Sequence, residues 1–546
     1  MGDIIKSGGG SAGRAVDVPV IDPESMAWKE LSDLGNAERL VLRAAGKLMH
    51  VEGMGWVAYD GARWTAEDGQ RLASLKAHEV ARGMRDEVAA LGAVPDDQLK
   101  VVFGEWCTVD RRQNRVIDLH KHAVASGNAN RTTAMLAQAA HLISGHRDDF
   151  DRDPYVLNVR NGTLRFIKGT DGSWLVVRKD HDPADMLSRI CETEWDPQAD
   201  CPNWRRHLET VLPDAEIRAY FQAIIGYVLT GLIDEQCIFM LQGKGNDGKS
   251  VTMNVLRQVM GGYGFAADVQ TFMAGAQRSG ADASPDLARL AGDVRLVSVG
   301  EPKRGGALDE ARIKQVTGGS PITARVLHGD PFEYVPKFKV LFECNGRPRI
   351  SGDDDGIWRR IRIVLFPRQF RLPHQSPSPH LLEPIKGIER TLLEESAGIL
   401  NWAIEGALRW LEAGTLVTPN AMKEAVEDYR RSANPFGEWM AERLDTGPEW
   451  ADHLEHASTL FDDYKKWCED NSVADKEVMT STSFGRALGD RQILKGPKDS
   501  AGKVRRRGGR LRTGFAVPPP SSAPEPPSAG PQQGPADNWV PDFHDD

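Results

Sequence analysis

Long apolar runs are missing from this chain, and no segment offers the roughly 18 consecutive apolar residues that a bilayer-spanning helix needs. Residues 1–24 also lack an apolar stretch and read as a flexible lead-in, not a secretion signal. Cysteine is scarce: six residues (107, 191, 201, 237, 344, 468), none in a Cys-x-x-Cys pair. That spacing argues against a disulfide framework or a zinc ribbon and predicts a reducing, cytoplasmic setting. A basic excess is absent too, since 68 Lys+Arg against 78 Asp+Glu leave a net charge of −10. No internal repeat is present. What remains is an ordinary globular composition, 40% hydrophobic and 27% charged, over 546 residues. That length exceeds a single core and predicts three or four compact units.

Charge is distributed unevenly. From Lys495 to Arg512 there are eight basic residues and one acid, Asp499, whereas Val517 to Asp546 carries five acids, nine prolines and no Lys or Arg. The C-terminal basic stretch is the place to expect contact with a polyanion. The Pro-rich acidic tail beyond it reads as disordered, with Trp539 and Phe543 available as anchors for a partner.

Local patterns divide the rest of the chain. Helical spacing runs over Asn36–His50, Leu72–Leu91 and Thr132–Ile143, and turn signals at Asp60-Gly61 and Asn161-Gly162 predict hairpins. His120 and His122 lack a carboxylate or cysteine at ligand spacing and belong on a surface helix. After a predicted helix pair over Trp204–Leu232 come three β-rich apolar runs, CIFML (237–241), VRLVSV (294–299) and FKVLF (338–342). Continuous apolar strands of this kind fit a parallel sheet covered on both faces. Helices follow over Leu392–Ala413, Asn420–Leu444, Leu454–Asn471 and about Ser481–Leu488, then a basic hairpin to about Phe515, an order that predicts a winged helix.

The first apolar run leads into Gly243-Lys244-Gly245-Asn246-Asp247-Gly248-Lys249-Ser250, a G-x-x-x-x-G-K-[ST] loop, and an amphipathic helix beginning SVTM follows. Glycines let backbone N–H groups turn toward a phosphate, and the helix N-terminus, including Val251, adds positive potential. Lys249 is the expected bridge between β- and γ-phosphates, and the Ser250 hydroxyl the expected Mg²⁺ ligand. The bland alternative is a glycine-rich strand-to-helix turn with a solvated lysine. Chemistry at this level says only that a nucleoside triphosphate, such as ATP, is bound.

Two further strand ends add function. VRLVSVGE places Glu301 past the tip of the second run, where a carboxylate can hold Mg²⁺ or polarise water; FECN places Asn345 at the tip of the third. Trp358-Arg359-Arg360 follows, and one of these arginines is positioned by sequence to reach a neighbouring subunit's γ-phosphate.

Lys249, Glu301, the segment IKQVTGGSPITARVLHGDPFEYVPKFKVLFECNGRP (313–348) and GIWRRIRIVLFP (356–367) together resemble the superfamily 3 helicase region of phage and plasmid primase-helicases, a group similar to the poxvirus helicase-primase. The likeness extends upstream through NVRNGTL (158–164) and WDPQADCPNW (195–204) and covers about residues 150 to 370. The resemblance implies an α/β chain with an AAA+-like P-loop NTPase core, an N-terminal mixed α/β domain and a C-terminal winged helix. It implies a ring-forming homo-oligomer, usually a hexamer, that uses ATP and Mg²⁺ to move along single-stranded DNA at a fork. Carried over by motif, Gly243, Lys244, Gly245, Asn246, Asp247, Gly248, Lys249, Ser250 and Val251 cradle the nucleotide. Glu301 takes the Walker B position with Ser250 at the metal, Lys314 the following motif, Asn345 the sensor, and Arg359 or Arg360 the finger. Two departures stand out: Gly300 precedes Glu301 where paired acids are common, and Ser320 follows the Gly-Gly where Asp is common.

A hairpin predicted over Ile322–Val335 is the counterpart of the channel hairpins of ring helicases, with Arg325 and His328 on DNA phosphates. On the C-terminal wing, Arg505, Arg506 and Arg507 are the expected duplex contacts. The implied domains are a lead-in (1–24), an N-terminal α/β domain (25–200), an ATPase domain (201–418), a helical linker with winged helix (419–515) and a disordered tail (516–546). The expected activity is an ATP-dependent DNA helicase for phage, plasmid or mobile-element replication, in the host cytoplasm. The acidic strings Asp148, Asp149, Asp151, Asp153 and Asp353, Asp354, Asp355 fall in loop-like sequence, so priming is assigned to a separate polypeptide. Two rivals stay open: an origin-binding assembly protein whose ATP site drives no unwinding, and another P-loop enzyme such as a small-molecule kinase.

Overall fold

The computed structural model describes residues 22–275, 285–303, 306–326, 330–350, 355–376, 378–432, 435–471, 473, 475 and 478–512. Most of the lead-in, the Pro-rich tail with Trp539 and Phe543, His328, Asp353 and Asp354 lie outside the described residues. The chain is mixed α/β and divides into two units, Met1–Asn434 and Pro435–Asp546.

The first unit is organised around a five-stranded sheet, β1 (Ile238–Gly243), β2 (Gly264–Ala267), β3 (Leu296–Val299), β4 (Lys339–Cys344) and β5 (Ile361–Phe366). Its spatial order is β5-β1-β4-β3-β2, and every neighbouring pair is parallel. The apolar runs follow from that arrangement. Phe239, Leu241, Leu296, Leu341, Val364 and Phe366 enter one core, while the alternate residues Ile238, Met240, Val297, Val340, Phe342 and Ile363 enter a second core on the opposite face. With both faces covered, no residue of these strands needs to be polar. The three runs read from sequence as strands are β1, β3 and β4. β2 and β5 complete the sheet; β2 is four residues long and follows a tight Gly261-Gly262 turn, and β5 carries Arg362 amid its apolar residues.

Helix α1 (Lys249–Met260) leaves β1 and packs into the first core through Met253, Val255, Leu256 and Val259. The same core takes Trp204, Leu208 and Val211 from Pro202–Val211, and Phe221, Ile224 and Ile225 from Ala215–Leu229. It also takes Leu157, Val159, Leu164 and Phe166 from a three-stranded antiparallel sheet, Val156–Val159, Gly162–Lys168 and Trp174–Lys179. That small sheet, expected with the N-terminal domain, is therefore continuous with the core of the parallel sheet. Arg295 makes the join. Its fully buried guanidinium pairs with Asp293 at 2.6 Å, donates to the Val156 and Leu229 carbonyls, and lies 4.6 Å from the Tyr263 ring.

Residues before about 150 form a helix-rich module: Asp33–Ala44, Gly69–Ala93, Val109–Ser126 and Ala129–Leu142 around Leu40, Ala77, Met84, Leu119 and Met135. The first helix stops at Ala44, short of the expected His50, because Ala45 turns left-handed (φ 49°) and Leu48–Val51 becomes a strand beside Gly55–Tyr59. His122 is half-buried, 2.9 Å from the Asn36 side chain. At the other end, Asn420–Ser432 packs on the parallel sheet, with buried Tyr429 edge-on to Trp358 at 5.2 Å, so this helix belongs to the first unit.

The second unit holds helices Pro435–Arg443, Ala457–Asp470 and Ser481–Asp490 around Trp439, Tyr464, Phe484 and Leu488. The expected two-stranded wing is not formed as such. Arg505–Arg507 pairs with Leu454–His456 and with Leu494–Lys495, while Arg510–Leu511 pairs with Leu444–Asp445, because Gly508-Gly509 diverts the chain between them. Among the described residues no helix is long and apolar enough to cross a membrane.

Helices Ala215–Leu229 and Ser396–Ala413 pack backbone to backbone. A Cβ on Gly226 would lie 2.0 Å from the Ala407 amide nitrogen, and one on Gly406 2.1 Å from the Gln222 carbonyl oxygen. Backbone on both sides leaves no flexible group to yield. Gly226→Ala is expected to destabilise the first unit by about 1–3 kcal/mol through overpacking, read as a lower urea midpoint by tryptophan fluorescence.

Candidate functional site

Register builds this site. In the parallel ladder Cys344 pairs with Gln242 and Val299 with Phe342, so the carboxyl ends of β1, β4 and β3 finish in one row. Open parallel sheets place their ligand crevices along that edge. The loop Gly243–Gly248 emerges from β1 there, and α1 begins at Lys249 behind Gly248, which is left-handed at φ 87°.

Small residues are required by space. A Cβ on Gly243 would fall 1.9 Å from Asp247 Oδ2 and 2.8 Å from Lys249 Nζ, and one on Gly245 would fall 3.3 Å from Asn345 Nδ2. The loop is also pinned from outside: Phe370 N donates to the Asn246 carbonyl at 2.7 Å, the Asn246 side chain donates back to the Phe370 carbonyl, and Gln369 donates to the Gly245 carbonyl at 3.3 Å. Lys244 is exposed and Val251 packs partly into the core beneath.

Inside this cradle Lys249 is 4% exposed. Its ammonium donates to Asp247 Oδ2 and, at 3.0 Å, to Asn345 Oδ1. Asn345 then donates from Nδ2 to Glu301 Oε2 at 2.6 Å. Lys249, Asn345 and Glu301, from three separate strand ends, thus form one hydrogen-bonded line. Beside it the Ser250 hydroxyl donates to Glu343 Oε2 at 2.5 Å. Burial pushes the intervening Cys344 thiol up to about 12, consistent with its place in the opposite core.

Glu343 is the residue that sequence reading passed over. Strand side chains alternate, so a residue two before Asn345 faces the same way; the signal was present in FECN. It supplies a second carboxylate near Ser250, where the Gly300-Glu301 departure had left one. Asp247, expected only as part of the loop, is the counterion of Lys249 and also accepts from Gly245 N at 3.1 Å.

Other expected site residues are placed as follows. Arg360 is buried and donates to Thr317 Oγ1 at 3.0 Å and to the Gly356 carbonyl, so its guanidinium is committed within this chain; Arg359 beside it is exposed. Lys314 is half-buried on helix Glu310–Thr317, whose Ile313 and Val316 face the second core. Arg325 is half-buried at the end of hairpin strand Ile322–Arg325, opposite Pro331 of Pro331–Tyr334. In the second unit Arg506 is 7% exposed and donates to the Gly485 carbonyl at 2.8 Å, so it serves the module's interior and not a polyanion; Arg507 is exposed and Arg505 half-buried.

The residues present fit a magnesium-bound triphosphate. Ser250 offers a hydroxyl and Glu343 and Glu301 offer carboxylates, all hard oxygen donors suited to Mg²⁺, which commonly completes its shell with phosphate and water. The glycines leave backbone open where a Cβ would collide.

Comparisons with known proteins bear on the chain's relatives. Residues 37–213 match the family pattern described as D5 N terminal like. A protein named as a putative helicase in Acanthamoeba polyphaga mimivirus is 26% identical over 311 residues, which cover 54% of this chain and 31% of that protein. Another so named in Frog virus 3 (isolate Goorha) is 27% identical over 271 residues, 48% of this chain and 27% of that protein. The chain thus spans about a third or less of the length of these two relatives. Among solved structures, the apo structure of the NrS-1 C terminal region is 12% identical with a TM-score of 0.37, covering 58% of this chain and 77% of that one. The chain therefore carries a D5 N terminal like region and is a distant relative of viral proteins named as helicases.

Behind the loop, His207 Nε2 lies 2.9 Å from Thr252 Oγ1, and Thr252 donates to the Gly248 carbonyl at 2.9 Å. Burial holds the His207 imidazole down at about 4. In the unfolded chain it takes a proton near pH 6.5, so the unfolded state binds more protons between about 6.5 and 4 and stability falls as pH falls through that window. Relative to His207→Gln, the wild type is expected to lose roughly 3 kcal/mol between those limits. Thermal midpoints of both proteins from pH 7 to 4 check this; parallel profiles would refute it.

Proposed function

We propose that the chain is an ATP-dependent DNA helicase of superfamily 3 type that translocates on single-stranded DNA during replication of a phage, plasmid or other mobile element. The observation that carries this reading is the line Lys249–Asn345–Glu301 at the carboxyl edge of a parallel sheet, beside Ser250–Glu343. The distant viral relatives named as helicases support it at the level of class.

On this reading the loop amides and the N-terminus of α1 receive the β-phosphate. Lys249 exchanges part of its contact with Asp247 for phosphate oxygen, which keeps its buried ammonium compensated throughout. Ser250, with Glu301 and Glu343, would hold Mg²⁺. When bound, the metal and nucleotide supply the charge neutralisation and the scissile phosphoanhydride. Asp247 contacts the Lys249 ammonium directly, and Glu301 and Glu343 add carboxylates along the same edge, which favours a magnesium complex over the bare polyanion. Glu301 orients and polarises water, and Asn345 ties its carboxylate to the lysine so that both respond to the γ-phosphate. Lys314 belongs to the same motor motif. In the ring that the resemblance implies, usually a hexamer, Arg359 is the exposed arginine able to complete a neighbour's site. Arg325, His328 and, in the second unit, Arg505 and Arg507 are the proposed DNA contacts. A primase in trans would complete the replication set.

Lys249→Ala is expected to reduce ATP turnover about a hundredfold or more, and Arg359→Ala about a thousandfold in the assembled ring. ATP-dependent separation of a forked substrate tests the activity directly. Wild-type and Glu301→Gln proteins with equal ATP turnover would remove the motor assignment. Arg325→Ala is expected to keep basal ATP turnover yet lose its stimulation by single-stranded DNA; undiminished stimulation would discard the hairpin's role.

A further inference from the structure

A second concave surface lies at the other edge of the same sheet. Gly292 and Lys337 precede β3 and β4, which begin at Leu296 and Lys339, so the cleft they line opens at the amino edge, opposite the glycine loop. Its volume is about 700 Å³. The cations Arg63, Arg147, Arg152, Arg189, Arg289 and Lys337 line it, drawn from separate segments of the helix-rich module and the sheet unit. Arg152 and Arg289 are exposed, and the rest are half-buried.

Opposing acids are fewer. Glu67 and Asp148 are exposed in the lining, whereas Asp151 is 3% exposed, with its carboxylate turned onto Ser188, whose backbone N donates at 2.8 Å. Some cations have internal work: Arg152 pairs with Asp149 at 2.6 Å, Arg63 lies 3.6 Å from Asp60, and Arg189 donates to the Ala291 carbonyl at 3.3 Å. These exposed or single contacts contribute little stability and leave donors for an anion.

The cleft is continuous with the hairpin. Tyr334 and Val335, at the base of strand Pro331–Tyr334, line it, and the Arg147 guanidinium lies 4.0 Å over the Phe332 ring. Arg325 is at the opposite end of that hairpin, three residues or roughly 10 Å along the strand. Phe265, half-buried in the lining, adds an apolar face of the kind that bases stack on. A volume in the small-ligand range admits a few unpaired nucleotides and not a duplex.

We propose that this amino-edge cleft is a binding site for single-stranded nucleic acid, a track along which the strand runs to or from the Ile322–Tyr334 hairpin. The identity of the strand as DNA rests on the helicase reading; the site itself rests on charge and shape. Binding of a fluorescent oligo-dT is measured by anisotropy without nucleotide across a salt series. Arg152→Ala/Arg289→Ala is expected to flatten the log–log salt slope by about 1.4, two contacts at about 0.7 each. Arg152→Lys/Arg289→Lys, which keeps the charges, is expected to retain the wild-type slope. An unchanged slope and affinity in the double alanine variant overturns the cleft, as does a wild type that binds no oligo-dT. DNA-stimulated ATP turnover on the same preparations separates the two readings. Stimulation with an unaltered slope sinks the cleft alone; a flattened slope in a protein without ATP turnover upholds the cleft and sinks the motor.

Discussion

Parallel register is the constraint from which the site follows. Because β1, β4 and β3 run the same way and are held in step, residues far apart in sequence finish at one edge. A slip of one residue would turn Glu343 and Asn345 from the α1 side into the opposite core and bring Cys344 to the loop. The two apolar faces forbid that slip, since Phe239, Leu241 and Leu341 fill one core while Met240, Val340 and Phe342 fill the other. Packing, not hydrogen bonding among the polar residues, fixes where the chemistry stands.

Buried charge then ties neighbouring layers to that sheet. Arg295 satisfies its guanidinium on Asp293 and on carbonyls of the small antiparallel sheet and the helix before β1. Lys339 is fully enclosed, donates to the Thr230 carbonyl, and lies 4.7 Å from the Tyr227 ring; burial drives its ammonium well below the ordinary lysine range. Removing one partner from such a set leaves a polar group unmet in a low-dielectric interior, whereas the intact set specifies a single arrangement. Arg39 and Glu87, both without exposure, do the same for the helix-rich module.

The strand ends were legible because they are local. An apolar run, a glycine loop and a helix announce Lys249 and Ser250, and a carboxylate or amide just past a buried strand announces Glu301 and Asn345. Glu343 is absent from that reading, although strand alternation from Asn345 points to it. What sequence could not give is competition for a side chain. Arg359 and Arg360 are chemically alike in sequence, and only the buried Thr317 hydroxyl and Gly356 carbonyl distinguish the second. Arg506 is likewise indistinguishable from its neighbours until strand Arg505–Arg507 is inserted between Leu454–His456 and Leu494–Lys495, which turns its side chain inward. Of the small sheet at 156–179, local pattern gives only the hairpin of 157–166; the third strand and the sheet's attachment depend on long-range packing that includes Trp204 and Phe221, which no local pattern encodes.

The two edges of the sheet differ in charge. Around the glycine loop, the carboxylates Asp247, Glu301 and Glu343 stand with Lys244 and Lys249; at the amino edge six cations outnumber three acids. Strands β3 and β4 run from one to the other, beginning near Gly292 and Lys337 and finishing near Glu301 and Asn345. A strand packed on both faces transmits displacement along its length with little compliance, because close-packed interiors are stiff. On the proposed reading, a change in the contacts of Asn345 and Glu301 with nucleotide would be felt at Lys337 and at the hairpin between β3 and β4. The hairpin is inserted in the β3–β4 connection, which leaves the carboxyl edge at Glu301 and returns to the amino edge at Lys337, so on the proposed reading it joins the nucleotide site to the cleft.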